Sequence, residues 1–295
     1  PRAAFLLDRP FCCCRGCGKQ ALTMCMGLGC NAAGVVGCRI IDSPRERLLA
    51  ILTNSMMPCN GRFPLMITLL AVFFGGQAWQ QAGLLTLVIV FAVAVTLAAT
   101  WVLSHTVLRG EPSAFALELP PYRKPQVGAV IIRSVLDRTL FVLGRALAVA
   151  CPAGIVLWLL ANIQMRNGTV LSAAAALLEP LGRTMGLDGM LLLAFILGFP
   201  ANEIVLPIAI MGYRAQESLA AVDGGSLAVI LQANGWTWQK AVSMLLFTLL
   251  HWPCSTTLLT IRRETGSRKW TALAALLPTA LGVILCCLFT AVFGA

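Results

Sequence analysis

Residues 83–108 (GLLTLVIVFAVAVTLAATWVLSHTVL) run without one Asp, Glu, Lys or Arg. A helix needs roughly 20 apolar residues to cross bilayer hydrocarbon, so this run sets the terms for the rest of the chain. A second run of the same kind covers 270–293. Composition agrees: 58% of the 295 residues are hydrophobic and 12% are charged, against about 25% charged in soluble domains. That leaves too little polar surface to cover a water-soluble core of this size. The sequence predicts an all-α, polytopic transmembrane helical bundle with several broken or re-entrant helices. It excludes soluble globular, disordered and collagen-like classes.

A third run, 139–163, carries Pro152 and Gly154 midway, which predicts a kink. Trp79, Trp101, Trp158 and Trp270 sit at or near run ends, where interfacial anchors belong. Four other apolar segments are interrupted by Gly or Pro beside polar side chains. Residues 21–41 are broken by GLGCNAAG (27–34), 48–74 by MMPCNGRFP (56–64), 190–211 by GFPANEIVLP (198–207) and 236–261 by HWPCS (251–255). Freed amides and carbonyls survive at membrane depth only where protein buries them or a wet cavity receives them. The four breaks are therefore expected to converge. A weak echo relates GLGCN and Pro58-Cys59 to GFPAN and Pro253-Cys254, and interrupted segments in matching places of two halves point to a transporter site.

Polar stretches are few: a charged loop at 39–47, a Pro-containing linker at 109–138, an amphipathic surface segment at 172–185 and a basic loop at 262–269. The net charge of +10 reads as an orientation signal between apolar runs rather than as nucleic-acid binding. If both basic loops face the cytoplasm, an even number of crossings separates them, yet three runs lie between. A re-entrant segment around 226–235 is expected to account for the odd one. No basic, cleavable leader precedes the first motif, and the chain reads as part of a longer polypeptide or an incompletely called frame.

The breaks carry the chemistry. Cys30-Asn31, Cys59-Asn60, Asn202-Glu203 and His251 with Cys254 supply thiol, amide, carboxylate and imidazole groups. This mixture suits Fe(II), Zn or Cu(I) better than Mg or Ca, and unwound carbonyls can complete a shell. Structural readings stand beside the functional ones: inert buried thiols at Cys30 or Cys254, a Glu203–Arg62 ion pair, a hydrogen-bonded His251 and an interfacial His105. An intramembrane carboxylate costs about 2.5–3.5 kcal/mol, which makes Glu203 a functional candidate by default. CCCRGC (12–17) contains one C-x-x-C, Cys14 to Cys17, without the second pair a zinc site wants. Cys12, Cys13, Cys14 and Cys17 read as a cysteine-tolerant loop. No G-x-x-x-x-G-K-[ST], H-E-x-x-H or G-x-S-x-G occurs, so no enzymatic activity is expected.

In order along the chain, RAAFLLDR (2–9), GLGCN (27–31), RERLL (45–49), PCNGRFP (58–64), GFPANEIVLPI (198–208) and HWPCSTTLLTIRRETGSRKW (251–270) resemble the membrane domain of the ferrous iron transport protein B (FeoB-type) family. The resemblance implies a multi-pass protein of the bacterial cell inner membrane that takes up Fe2+ as its transported substrate. Two Gate regions would form the pathway, a partial first one at 1–108 and a second at 139–295, joined by a cytoplasmic-type linker at 109–138. The family cysteines match Cys30, Cys59 and Cys254, with Asn31, Asn202 and Glu203 expected near the ion. Pro58, Asn60, Arg62, Pro200, His251 and Pro253 are expected to shape or gate the breaks. GTP would act only through an N-terminal G-protein domain outside this sequence. That domain, membrane lipid and small cytoplasmic accessory proteins are the implied partners; a homo-oligomer is left open. Two rival readings remain: a gate-type transporter of an organic solute such as a nucleoside, and a non-transporting membrane fragment.

Overall fold

The computed structural model describes residues 2–110, 128, 132, 151–152, 154–156, 158–160, 162–165, 168–216, 231 and 234–294. Its first half comprises α1 (Arg2–Cys13), α2 (Lys19–Gly29), α3 (Asn31–Gly37), α4 (Pro44–Thr53), α5 (Phe63–Phe73) and the long α6 (Ala78–Thr106). After a two-residue antiparallel ladder of β1 (Gln164–Met165) with β2 (Gly168–Thr169), the second half follows. It comprises α7 (Val170–Thr184), α8 (Gly189–Leu197), α9 (Val205–Gln216), α10 (Trp238–Leu250), α11 (Ser255–Thr265) and α12 (Arg268–Phe293). Among the described residues, α6, α10 with α11, and α12 are long and apolar enough to cross a membrane. The two clean runs in the sequence are α6 and α12. The kink expected in 139–163 lies mostly outside the described residues.

The run at 21–41 differs from a broken span: α2 and α3 fold back on each other. One extended residue, Cys30 (φ −155°, ψ 123°), makes the turn. Small residues permit the close contact, since a Cβ on Gly34 would lie 2.9 Å from the Thr23 carbonyl and one on Gly37 2.7 Å from Met26 Sδ. Lys19 and Asp42 pair across the base of this hairpin. The run at 190–211 behaves likewise. α8 and α9 pack antiparallel around an extended Ala201 (φ −150°, ψ 120°). Gly198 sits against Val205 and Gly212 against Met190, and the Tyr213 hydroxyl donates to Asp188 Oδ2 at 2.7 Å across the base. Ahead of it, α7 meets α8 at 110°. That sharp bend needs Gly186 in the left-handed region (φ 65°) and no side chain at Gly189, where a Cβ would be 2.0 Å from the Ala175 carbonyl.

Of the other two interrupted runs, α10 continues into α11 as one span, while α4, which starts beside Leu108, leads through residues 54–62 to α5, whose end meets Trp236. Each half is thus an amphipathic helix, a hairpin, a broken helix and a long helix, in that order, and the two halves are inverted. On one face, Arg39 pairs with Glu264, and Arg45 donates to the Leu108 carbonyl at 2.6 Å and the Arg15 carbonyl at 3.4 Å. The base of the first hairpin, the start of α4 and the ends of α6 and α11 therefore share this basic face. On the opposite face, Lys240 joins Asp188, Phe73 stacks on Trp236, and Trp238 meets Phe289 and Phe293 at the end of α12. A hairpin adds no crossing, so 190–211 drops out of the runs counted between the two basic loops. The segment at 226–235, where re-entrance was expected, lies mostly outside the described residues.

Polar groups also hold the frame inside the apolar bundle. Gln20 donates to Thr53 Oγ1 (3.0 Å) and Thr100 Oγ1 (3.1 Å), tying α2, α4 and α6 with all three side chains buried. The basic loop expected at 262–269 is reduced to a two-residue turn between α11 and α12, made by Gly266 at φ 64°.

Candidate permeation site at four helix breaks

Proline and local sequence set each break. Pro58 and Pro253 lack the N–H that would continue a helix, and the chain runs extended through Met57 and through His251 and Cys254. At the hairpin tips Cys30 and Ala201 occupy nearly the same extended conformation. Backbone then joins the breaks in pairs. Asn60 N–H donates to the Gly29 carbonyl (3.4 Å) and Ser255 N–H to the Phe199 carbonyl (3.0 Å). In each half, the residue after the Pro-Cys pair bonds the tip of the hairpin.

The side chains complete the joins. Asn31 is buried, and its amide faces the Gly27 and Met57 carbonyls, each 3.2 Å away, donating to both with its nitrogen on that side. Asn54 donates to the Asn31 carbonyl at 3.0 Å, in a slot that exists because Gly27 and Gly34 have no Cβ. Ser255 Oγ donates to the Pro200 carbonyl (3.3 Å). His251 is buried, with Nδ1 2.9 Å from the Thr248 carbonyl and Nε2 3.3 Å from Asn202 Oδ1. His251 and both asparagines are therefore engaged in holding the breaks.

Arg62 and Glu203 do not form the ion pair that the sequence offered. Arg62 is 1% exposed and donates to four carbonyls: Ser55 (3.2 Å), Leu249 (2.7 Å), His251 (3.1 Å) and Trp252 (3.4 Å). Glu203 is exposed and lies over Gly61, where a Cβ would be 3.1 Å from its Cγ. Among the described residues it has no ion-pair partner. Cys59 and Cys254 are half-buried and Cys30 is exposed; Cys59 has Arg62, Cys254 and Cys30 as electrostatic neighbours. The structure thus sets Glu203 over Gly61, two residues along the chain from Cys59. Among the described residues, no three His, Cys, Asp or Glu side chains are gathered tightly enough to hold a metal ion.

The CCCRGC stretch has a structural explanation. Asp8 accepts from Cys12 Sγ (3.3 Å) and from Gly18 N–H (2.7 Å), pinning the turn after α1. Burial, with the Asp8 carboxylate beside it, pushes the Cys12 thiol up to about 11, which keeps it protonated and unreactive. Sequence reasoning missed Asn54, Gln20 and the Asp188–Tyr213 pair. Asn54 carried a usable signal, an amide within an apolar run four residues before a proline; the partners of Asp188 carried none.

The Gate family, described as nucleoside recognition, matches residues 84–268. Relatives include the Fe(2+) transporter FeoB of Staphylococcus aureus (strain MSSA476), 30% identical over 98% of this chain and 43% of the relative. The FeoB of Synechocystis is 28% identical over 94% and 44%, and that of Methanocaldococcus jannaschii 26% identical over 87% and 39%. The chain spans less than half the length of these curated relatives. No solved structure matches. With the Gate model covering more than half of the chain and FeoB relatives aligned along nearly all of it, the chain belongs to the Gate family and is a multi-pass membrane domain of the FeoB type.

Proposed function

We propose that this chain forms the permeation route of a ferrous iron transporter, with Fe2+ as cargo. Two Gate-type halves, 1–108 and 139–295, are joined by the linker at 109–138, and the basic face lies on the cytoplasmic side of a bacterial inner membrane, as the positive-inside rule directs. The observation that supports this most is Glu203, a carboxylate that has no cationic partner among the described residues and is held against Gly61 in the Cys59 break. A membrane protein keeps an uncompensated acid at such a place at a cost, and a permeating cation supplies the missing charge.

The ion would exchange water for a few donors at a time: Cys30 and Glu203 at the hairpin tips, Cys59 and Cys254 at the Pro-Cys breaks, with carbonyls and residual water completing its shell. Asn31 and Asn202 would act by holding the tips. Conduction needs sites weak enough to release the ion, and a closed four-ligand cage would trap it. GTP coupling would come through a G-protein domain of the complete transporter. The decisive test is radioactive Fe2+ uptake by cells carrying the complete transporter with Cys30→Ser and Cys59→Ser. Uptake should be abolished with membrane insertion unchanged; wild-type uptake would remove the thiols from the route.

A second reading, transport of an organic solute, is favoured by the Gate family's description as nucleoside recognition. Uptake of a labelled nucleoside, insensitive to Fe2+, would select it.

A further inference from the structure

We infer that Arg62 is a positioning residue for permeation: a clasp that joins the two Pro-Cys breaks into one body, so that Cys59 and Cys254 keep a fixed separation while an ion passes between them. This rests on the reading of the breaks as a cation route.

A guanidinium 1% exposed within an apolar bundle is costly unless its charge is compensated. Among the described residues no carboxylate pairs with it. Compensation comes from carbonyls, and the sequence explains why those carbonyls are free. Pro253 has no N–H to offer Leu249 four residues earlier, and the extended His251 ends α10, leaving its last-turn carbonyls open. Arg62 Nη1 takes the Leu249 carbonyl at 2.7 Å, while Nη2 takes those of His251 and Trp252. The guanidinium replaces the hydrogen bond that proline deletes, and its positive charge sits at the negative end of the α10 dipole.

The donor belongs to the other half of the molecule. Arg62 follows Cys59 by three residues and is anchored on its own side by the Ser55 carbonyl (3.2 Å). One planar fork therefore spans the break that carries Cys59 and the break that carries Cys254. Nε has no partner, so the grip depends on the two terminal nitrogens. A lysine ammonium keeps the charge but lacks the fork that reaches two sets of carbonyls.

The test uses the complete transporter in membranes, with Arg62→Met and Arg62→Lys. In a background whose only cysteines are Cys59 and Cys254, a short bifunctional methanethiosulfonate should cross-link the pair. Arg62→Met should lower the yield about tenfold, the loss expected when charge-assisted hydrogen bonds disappear, and Arg62→Lys should give an intermediate yield. A control pair at the base of the first hairpin, Lys19→Cys with Asp42→Cys placed in a separate background without native cysteines, should cross-link equally with Arg62, Arg62→Met and Arg62→Lys. That control separates a lost clasp from a lost fold. If Arg62→Met aggregates, monodisperse Arg62→Lys carries the test in the same way. Parental Cys59–Cys254 cross-linking in either soluble variant would overturn the clasp. Cross-linking requires no iron, so it can succeed where iron uptake fails, and the two readings stand or fall separately.

Discussion

The two hairpin tips share a backbone and differ in chemistry. Cys30 and Ala201 adopt nearly the same extended conformation, each followed by a buried asparagine. The first tip then offers a thiol and the second, one residue past Asn202, the carboxylate of Glu203. Their bases differ as well. Lys19–Asp42 is an exposed pair, with the Asp42 side chain 86% accessible. The second base is a half-buried network in which Asp188 Oδ2 receives both Tyr213 and Lys240, and Tyr213 accepts from Trp236. A duplicated scaffold can thus hold position constant while a soft donor is placed on one side, a hard donor on the other, and the firmer anchorage on the second.

The largest expected effect breaks the division of donors. Glu203→Gln should reduce Fe2+ uptake by about tenfold or more, the scale of one charge-assisted contact, with expression unchanged; uptake at the parental rate would show the acid to be idle. Next, Gly189→Ala should destabilise the domain by at least the roughly 1–3 kcal/mol typical of overpacking, because a Cβ there meets the Ala175 carbonyl at 2.0 Å. Gly29→Ala, with nothing within 4 Å of the new methyl, is the matched control, and thermal unfolding in detergent compares them. Asp188→Asn should cost about 1–3 kcal/mol and speed hydrogen exchange through α8 and α9, whereas Asp42→Asn should leave both near parental values. The smallest effect is acid dependence at the first base. Hydrogen bonding to Lys19, with its charge, holds the Asp42 carboxyl below the ordinary carboxylate value of about 3.9. Its contribution is present above that value and is lost as pH falls through the lower native one. Protection factors at residues 38–43, which normalise for the intrinsic pH dependence of exchange, should fall on acidification in the parent and change less in Asp42→Asn.

Much of this was legible in the residues. Gly and Pro beside polar groups marked all four breaks, because lipid leaves no other place for freed backbone. The spacing could not say which interrupted runs cross and which turn back. Residues 21–41 and 236–261 are both apolar runs with one interruption, yet one is a hairpin and the other a broken span. What separates them is glycine at 27, 34 and 37 on the facing sides of α2 and α3, a packing signal rather than a hydropathy signal. Arg62 was legible as a polar intruder but not as a link between halves, since its acceptors are backbone carbonyls, which a sequence does not display. Asp188 was hidden for a different reason: its partners are the side chains of Tyr213 and Lys240, which the hairpin and the start of α10 bring to it from 25 and 52 residues away.

The backbone joins at the tips impose an order of assembly. Gly29 meets its donor at Asn60, a short way down the same chain, whereas Phe199 must wait for Ser255, beyond the stretch at 217–233. A nascent chain emerging from the ribosome can finish its first tip while the second half is still unmade. The later tip stays open until the last broken helix has entered the bilayer, and a quality-control protease has that interval in which to act.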